Sequence, residues 1–347
     1  PRRAADDQRT LPVIEARLRQ AIDRARWDAA WAVAEELADL PRHVPLDAFR
    51  QLVPGSGEGE GLVRTGFHCN QDCGLCWQGR QWGRFPPSQI VTWIEDLRAA
   101  GARKLVISGG EPTLDANLHS YIARAREVGF GHVCIETNAI QAAKPGYAER
   151  LRAAGLDSAF VSLHSGDPKI SDRVTRAPGT HQRTVRGIQA LLESDITVRL
   201  NAVITKETLP SLPDLPRFIR EVFGDHPRLS ALVVSDLGST YEEALRPSLV
   251  PDPAETRAAL ARFIDQAVAA RLHVTGLGDP CGPPACMFGA DRRVWSPVSV
   301  SGPLPFRRYA AACVGCDVKH ACFGARESHV ELFGDAAVSP IRIRARA

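Results

Sequence analysis

The sequence has no apolar run approaching the roughly 18 residues that a membrane-spanning helix needs, so no membrane partner is predicted. It also lacks an excess of one charge, since 43 Lys and Arg stand against 40 Asp and Glu. The basic residues are scattered rather than clustered, and we therefore expect no nucleic-acid partner. No signal-peptide pattern is visible, which makes a cytoplasmic location the expectation.

Cysteine, in contrast, is plentiful, with nine residues in a chain of 347. That length excludes a small secreted scaffold held by disulfides, so clustered cysteines indicate metal or redox chemistry. With 44% hydrophobic and 24% charged residues, the composition is typical of a folded protein. The chain is long enough for one α/β barrel with extensions.

The first 60 residues are predicted to form a helical extension and a linker. Apolar residues recur at helical spacing between positions 11 and 40, which predicts one long helix on the outside of the main domain. The segment from Pro54 to Gly61 is rich in glycine and predicts a flexible linker.

Strand-like and helical patterns then alternate through residues 61–280. Ser88 is expected to cap the first helix, and Gly101, Gly129 and Gly155 to end helices. This alternation predicts an α/β fold with a partial (β/α)6 TIM-like barrel, with a doubly wound sheet as the alternative. The predicted strands are Gly61–Phe67, Lys104–Ile107, His132–Glu136, Ser158–Leu163, Thr197–Ile204 and Ala231–Val234, with a short one at Leu272–Thr275, and the clearest helices are Ser88–Ala100, Asn117–Val128, Thr180–Ser194 and Pro253–Ala270.

Three cysteines, Cys69, Cys73 and Cys76, follow the first predicted strand within eight residues. Three thiolates at this spacing can hold one metal centre, and a [4Fe–4S] cluster with only three cysteine ligands keeps one iron open. A structural zinc site with His68 or a distant residue as fourth ligand is the alternative. Structural zinc is usually bound by two close ligand pairs, so the spacing favours the cluster.

This motif resembles that of the radical S-adenosylmethionine (SAM) superfamily, and the resemblance covers about Gly61 to Gly278. It implies that the open iron binds the amino and carboxylate groups of SAM. It further implies that one electron from the cluster breaks SAM into a 5′-deoxyadenosyl radical, which takes a hydrogen atom from the substrate. The family often has an aromatic residue before its third cysteine, whereas this chain has Leu75 there and Trp77 after Cys76.

The second predicted strand ends in Gly109, Gly110, Glu111 and Pro112, which resembles the family motif that receives the methionine ammonium of SAM. The glycines are interpreted as letting a charged ligand approach the backbone. Polar residues at further strand ends are expected at the barrel mouth, and the resemblance makes Ser162 and Asn201 candidates for SAM contacts. The full set at these ends is Thr137, Asn138, Ser162, His164 and Asn201, with Arg173 or Arg176 as partner of the SAM carboxylate.

The last predicted region, residues 281–347, is rich in Pro, Gly and Cys and indicates a small loop-rich domain that a metal stabilises. Its cysteines resemble those of the shortened, twitch-like relatives of SPASM domains, which implies one auxiliary [4Fe–4S] cluster; zinc is the alternative. The predicted ligands are Cys286, Cys313, Cys316 and Cys322, while Cys281 is an extra ligand or a nearby thiol and Cys134 a small core residue.

These features predict a radical SAM enzyme that abstracts a hydrogen atom, with net oxidation, rearrangement or bond formation aided by the auxiliary cluster. The tail loosely resembles that of maturases of ribosomally made peptides, but the N-terminal region lacks a leader-binding pattern, so a peptide and a small natural product both stay open as substrates. An electron donor such as flavodoxin or ferredoxin is implied. The alternative is a non-catalytic iron–sulfur or zinc protein that retains the motifs.

Overall fold

The computed structural model describes residues 50–53, 59–76, 84–238, 246–304 and 306–343. The predicted helix between positions 11 and 40, most of the predicted linker and Trp77 lie outside these residues. The chain divides into two compact units, one containing residues 1–68 and 80–133 and the other residues 69–79 and 134–347. No helix among the described residues is long and apolar enough to span a membrane.

In the first unit, strand β1 (Arg50–Val53) pairs antiparallel with β2 (Glu60–Arg64), and β2 pairs in parallel with β3 (Lys104–Ser108). Helix α1 (Pro87–Ala99) lies between β2 and β3 in the sequence, and α2 (Leu118–Glu127) follows β3. Strand β1 was not predicted. Gly61 lies in β2, as the predicted strand from Gly61 has it, and Glu60 belongs to β2 rather than to the linker.

Helix α1 shows why the first unit folds as it does. Its residues Ile90, Trp93, Ile94 and Leu97 are buried, which is the spacing of one helical face. The prediction that Ser88 caps this helix is wrong, because the N-cap is Pro86 and Ser88 lies inside the first turn. Proline suits that turn, where backbone N–H groups have no partner in the helix.

Strand β4 (His132–Thr137) begins in the first unit and ends in the second. Within the second unit the order is β4, β5 (Ser158–Ser162), β6 (Thr197–Ile204), β7 (Leu229–Asp236) and β8 (Val274–Thr275), with every pair parallel. Between β4 and β8 the described α-helices are α3 (Tyr147–Ala153), α4 (Pro168–Thr175), α5 (His181–Glu193), α6 (Leu215–Phe223), α7 (Arg246–Leu249) and α8 (Pro253–Ala269).

The predicted helix ends are confirmed at Gly101, Gly129 and Gly155. Each has a φ between +94° and +106°, a conformation that an L side chain rarely adopts. Parallel strands that alternate with helices confirm the predicted α/β class. Strand β8 pairs only with β7 among the described strands, so the sheet ends there as in an open, partial barrel rather than a closed one.

The C-terminal region has little regular structure, as predicted. A two-stranded ribbon of β9 (Arg307–Arg308) and β10 (Ala325–Arg326) precedes the short helix α9 (Glu327–Phe333). A small apolar cluster of Ala310, Ala325, Ala337 and Val338 packs against Cys286 and Cys313. The predicted boundaries at residues 60 and 280 stay a prediction.

Candidate functional site

The loop from Cys69 to Cys76 has no helix or strand, and other segments of the second unit fix its path. The backbone N–H of Asp72 donates to the carbonyl of Thr175 at 2.8 Å, and that of Gly74 donates to Val174 at 3.2 Å. The loop therefore lies along the end of α4 and is hydrogen-bonded to it.

Gln71 links two of the three thiols. Its backbone N–H donates to Sγ of Cys69 at 3.4 Å, and Sγ of Cys73 lies 3.8 Å from its Oε1 atom. Its side-chain amide donates to the hydroxyl of Thr180 at 3.2 Å. Cys69 and Cys73 therefore both contact Gln71. The backbone N–H of Cys76 donates to the carbonyl of Cys73 at 3.0 Å and closes a turn.

Asn138, a predicted SAM contact, fastens this loop to the end of β4. Its Nδ2 atom donates to Oδ1 of Asn70 at 2.7 Å, while its own Oδ1 accepts from the backbone N–H of Ile140 at 3.1 Å. Its carbonyl accepts from the Thr184 hydroxyl at 2.9 Å. Asn138 is buried, so these bonds are shielded from water. A direct contact with SAM stays a prediction.

The two arginines predicted near the SAM carboxylate lie beside the same loop. Arg173 and Arg176 line a pocket of about 300 Å³ together with Gly74, Leu75 and Glu207. One nitrogen of Arg176 lies 4.0 Å from a carboxylate oxygen of Asp72. Both charges are partly exposed, so water weakens this pair. Which arginine faces a ligand stays a prediction.

The Gly109–Glu111 motif directly follows β3 in the first unit. The amides of Gly110 and Glu111 donate to the carbonyls of Gly66 and His68 at 2.8 and 2.9 Å. A Cβ atom on Gly110 would overlap the carbonyl oxygens of Phe67 and His68. Glycine is therefore required at position 110 because another segment of backbone lies directly against it. This requirement is separate from the predicted approach of a ligand.

Glu111 is buried and caps the turn that follows it. Its Oε1 atom accepts from the backbone N–H of Thr113 at 3.0 Å and from the Thr113 hydroxyl at 2.5 Å. The carboxylate is thus held in one orientation at the end of β3. Its predicted contact with the methionine ammonium is compatible with this fixed position and stays a prediction.

Ser162 and Asn201 are direct neighbours, because the register of β5 and β6 pairs them. The Oδ1 atom of Asn201 accepts from the hydroxyl of Ser235 at 2.7 Å. His164 is buried, and desolvation lowers its pKa to about 4. Its Nδ1 atom accepts from the backbone N–H of Val203 at 3.3 Å, so it acts as a neutral structural group.

All four predicted auxiliary ligands, Cys286, Cys313, Cys316 and Cys322, line one cavity. The rest of its lining is largely apolar, apart from Tyr309 and Lys319. Burial, and to a smaller extent the neighbouring thiols, raise the pKa of the Cys286 thiol to about 11. A bound metal ion or cluster reverses this preference, because it binds the thiolate. Four cysteines at one place fit the ligand set of a metal ion or an iron–sulfur cluster.

Two aromatic and cationic side chains frame this cavity. The Tyr309 hydroxyl donates to the carbonyl of Cys322 at 2.8 Å, and the Lys319 ammonium lies 4.6 Å from the Tyr309 ring centre. The backbone N–H of Gly324 lies 3.4 Å from Sγ of Cys322 and can donate to it. Hydrogen bonds to cysteine sulfur tune the potential of iron–sulfur clusters.

The two remaining cysteines lie elsewhere. Cys281 is exposed and does not line the cavity. The prediction that Cys134 is a core residue is wrong: it is half-buried and alternates along β4 with the buried Val133 and Ile135. Among the described residues, no group of three or more His, Cys, Asp or Glu is arranged to hold a single metal ion.

Sequence analysis did not identify several residues that fix the cysteines. Thr180 and Asn70 hold the first loop, and Tyr309 and Arg307 hold the C-terminal segments. Of these residues, Asn70 was the easiest to identify from the sequence, because it lies between two predicted ligands. No local pattern distinguishes Thr180 or Arg307 from surface residues, because their partners are distant in the sequence.

The described chain is a parallel α/β protein in which three cysteines follow the first parallel strand. Residues 63–219 match the radical SAM superfamily, so this part of the chain is a radical SAM domain, as expected. The domain does not specify the reaction, because the same domain serves many chemistries.

Two curated relatives illustrate that range. The chain is 35% identical over 182 residues to a probable GTP 3′,8-cyclase of Methanopyrus kandleri, covering 51% of this chain and 56% of the relative. It is 27% identical to an AdoMet-dependent heme synthase of Methanosarcina barkeri, covering 42% of each. The match thus spans about half the length of these relatives.

A solved structure, native anSMEcpe with bound AdoMet and the Cp18Cys peptide, shares the fold. Its TM-score with this chain is 0.57, at 14% sequence identity, and the match covers 81% of this chain and 92% of that one. The predicted partial barrel is therefore confirmed, and the anSMEcpe structure with bound AdoMet has the same fold.

Proposed function

We propose that this enzyme cleaves SAM and abstracts a hydrogen atom from a peptide or small natural-product substrate. The observation that carries the proposal is the Cys69–Cys76 loop, which presents three thiols and is fixed by buried polar contacts. Three thiols provide one ligand fewer than a [4Fe–4S] cluster has irons, so one coordination position remains for SAM.

When bound, the cluster and SAM supply the radical chemistry, in which one electron opens the sulfonium bond and the resulting adenosyl radical removes hydrogen. The contribution of the chain is to hold and to orient. Cys69, Cys73 and Cys76 bind the cluster, and Asn138 keeps their loop in place through Asn70. Glu111 is oriented by Thr113 so that its carboxylate can bind the SAM ammonium, and Ser162 and Asn201 contribute polar contacts.

We further propose that Cys286, Cys313, Cys316 and Cys322 hold an auxiliary [4Fe–4S] cluster. The shared cavity supports this assignment, because it brings together the four cysteine ligands that a [4Fe–4S] cluster takes. Four thiols leave no open iron, which suits the uptake or relay of an electron. A net oxidation of the substrate is the outcome that such a site favours.

Both substrate classes have support. The anSMEcpe structure contains a peptide, whereas the name of the Methanopyrus kandleri relative specifies a nucleotide. The chain also needs an external electron donor, and we propose a flavodoxin or ferredoxin in a reducing, cytoplasmic setting. A set of peptide or nucleotide candidates is best screened after SAM cleavage is established.

The test is anaerobic reconstitution followed by mixing with SAM and dithionite. We expect about eight irons per chain and slow release of 5′-deoxyadenosine without substrate. Cys73→Ala should abolish release, while Cys134→Ala, outside both cysteine sets, should retain it. Fully iron-loaded protein that releases no 5′-deoxyadenosine contradicts the proposed reaction, and zinc at the second site contradicts the auxiliary cluster.

A further inference from the structure

A set of charged residues at the end of β7 has no role in either cysteine site. Asp236 is the last residue of that strand, and its Oδ2 atom lies 3.6 Å from Nδ1 of His329 in α9. The two side chains are only 10% and 14% exposed. Polar groups at the carboxyl ends of parallel strands lie where α/β enzymes bind their ligands.

Arg326 shares a backbone partner with Asp236, whose backbone N–H donates to the carbonyl of Cys281 at 2.8 Å. Its Nη2 atom donates to the carbonyl of Cys281 at 3.4 Å, a long bond at the exposed end of the guanidinium. Its buried Nε atom has no hydrogen-bond partner among the described residues. The guanidinium passes within about 4 Å of the place where Gly238 would carry a Cβ atom, so a larger residue there would crowd it.

Arg307 adds a second positive charge to the same neighbourhood. It is buried, and each of its three guanidinium nitrogens donates to one backbone carbonyl, of Pro280, Gly282 or Gly324. Burial and then the positive charge of Arg326 lower its pKa, which is about 10, while the Asp236 carboxylate acts in the opposite direction. Two guanidinium groups therefore lie near the one carboxylate of Asp236.

The strand alternation separates this set from the auxiliary cavity. Ala325 lines the cavity, whereas Arg326, the next residue of β10, points to the other side together with its cross-strand partner Arg307. A ligand bound by Arg326 would therefore lie next to the cysteine site without entering it.

We propose that Arg326, with the Asp236–His329 pair beside it, forms a subsite for an oxyanion of the substrate, either a carboxylate or a phosphate. Arginine binds both groups through paired N–H donors. This inference deepens the proposed function and rests on it, since it names a chemical group of the substrate.

The test measures the binding of two probes to the reconstituted protein by isothermal titration calorimetry at low salt. Pyrophosphate represents the phosphate source and citrate the carboxylate source. We expect at least one probe to bind, and Arg326→Gln to weaken its binding at least tenfold. Arg308→Gln, which removes a neighbouring exposed charge of β9, is the matched control and should bind like the wild type.

Asp236→Asn provides a test with the opposite sign. Removing the competing carboxylate should tighten the binding of the same probe several-fold, whereas a merely misfolded site would weaken binding in both variants. Binding of pyrophosphate alone identifies the phosphate source, and binding of citrate alone identifies the carboxylate source. The proposal is overturned if neither probe binds, if Arg326→Gln binds as the wild type does, or if both variants lose binding together.

SAM cleavage by the wild-type protein separates this inference from the proposed function. If the protein releases 5′-deoxyadenosine but binds neither probe, only the oxyanion subsite is wrong. If a probe binds with the expected dependence on Arg326 but no SAM is cleaved, the subsite stands as a binding site and the proposed reaction is wrong.

Discussion

Replacing Gly110 by Ala tests the close approach of the strand-end motif to the backbone that precedes Cys69. An added Cβ would come within 3.0 Å of the carbonyl oxygens of both Phe67 and His68. Real Cβ atoms essentially never approach so closely, and both neighbours are backbone atoms that no side-chain rotation can move. Overfilling a packed site costs about 1–3 kcal/mol and sometimes more.

Two hydrogen bonds add to that cost. The backbone N–H groups of Gly110 and Glu111 donate to the carbonyls of Gly66 and His68, in the same segment that the added Cβ would push away. Moving that segment therefore strains or breaks both hydrogen bonds. A buried amide without its partner costs about 1–3 kcal/mol. We therefore expect Gly110→Ala to lower the free energy of unfolding by about 3 kcal/mol or more. At a denaturant dependence of about 3 kcal/mol per molar urea, the midpoint falls by about 1 M.

Gly131 in the same unit provides the matched control. A Cβ there would meet only the carbonyl oxygen of Arg103, at an ordinary 3.7 Å, and no left-handed φ is needed. Gly131→Ala should leave the urea midpoint unchanged or raise it slightly, since alanine restricts the unfolded chain. Equal midpoints for the two variants, measured by circular dichroism, would refute the argument from backbone contact.

Cys286→Ser should reduce the iron content from about eight to about four atoms per chain, whereas Cys281→Ser should not change it; equal iron in both contradicts the ligand assignment. The pKa of His164 is about 4 in the folded protein and 6.5 in the unfolded chain. As pH falls, the unfolded chain therefore binds a proton at His164 before the folded protein does. On the order of 3 kcal/mol of folding stability is lost between pH 6.5 and pH 4 for this reason. His164→Asn, which can still accept from Val203, should flatten this part of the pH profile of the unfolding free energy. Asp167→Ala removes the cap of α4, where Asp167 accepts from two backbone amides, and should cost about 1 kcal/mol in urea unfolding; an unchanged midpoint contradicts the capping role.

The strands and helices of the barrel were predictable because each obeys one local rule. The helices have apolar residues at helical spacing and end in glycine, and the parallel strands are short apolar runs. Strand β1 escaped prediction because its four residues, Arg50–Val53, are too few to show alternation. Its pairing with β2 depends on a chain reversal that no nearby pattern specifies.

The cysteine sites were predictable for a different reason. Cysteine has a specific chemistry, so spacing and family resemblance selected two sets of candidate ligands, and their binding of iron stays a prediction. The residues that hold those ligands were not predictable, because Asn70 and Asn138 meet across 68 residues of sequence. Arg307 was missed because arginine is mostly a surface residue, and only the folded chain reveals that three carbonyls enclose it.

The two cysteine sets differ in how many thiols the chain provides, and this number divides their proposed roles. A cubane has four irons, so Cys69, Cys73 and Cys76 leave one iron open, whereas the four cysteines around the C-terminal cavity leave none. Cys281 does not alter this count, because it is exposed and lies outside the cavity lining. In the proposed function, the number of thiols, rather than the fold around them, therefore decides which site would bind SAM and which would only exchange electrons.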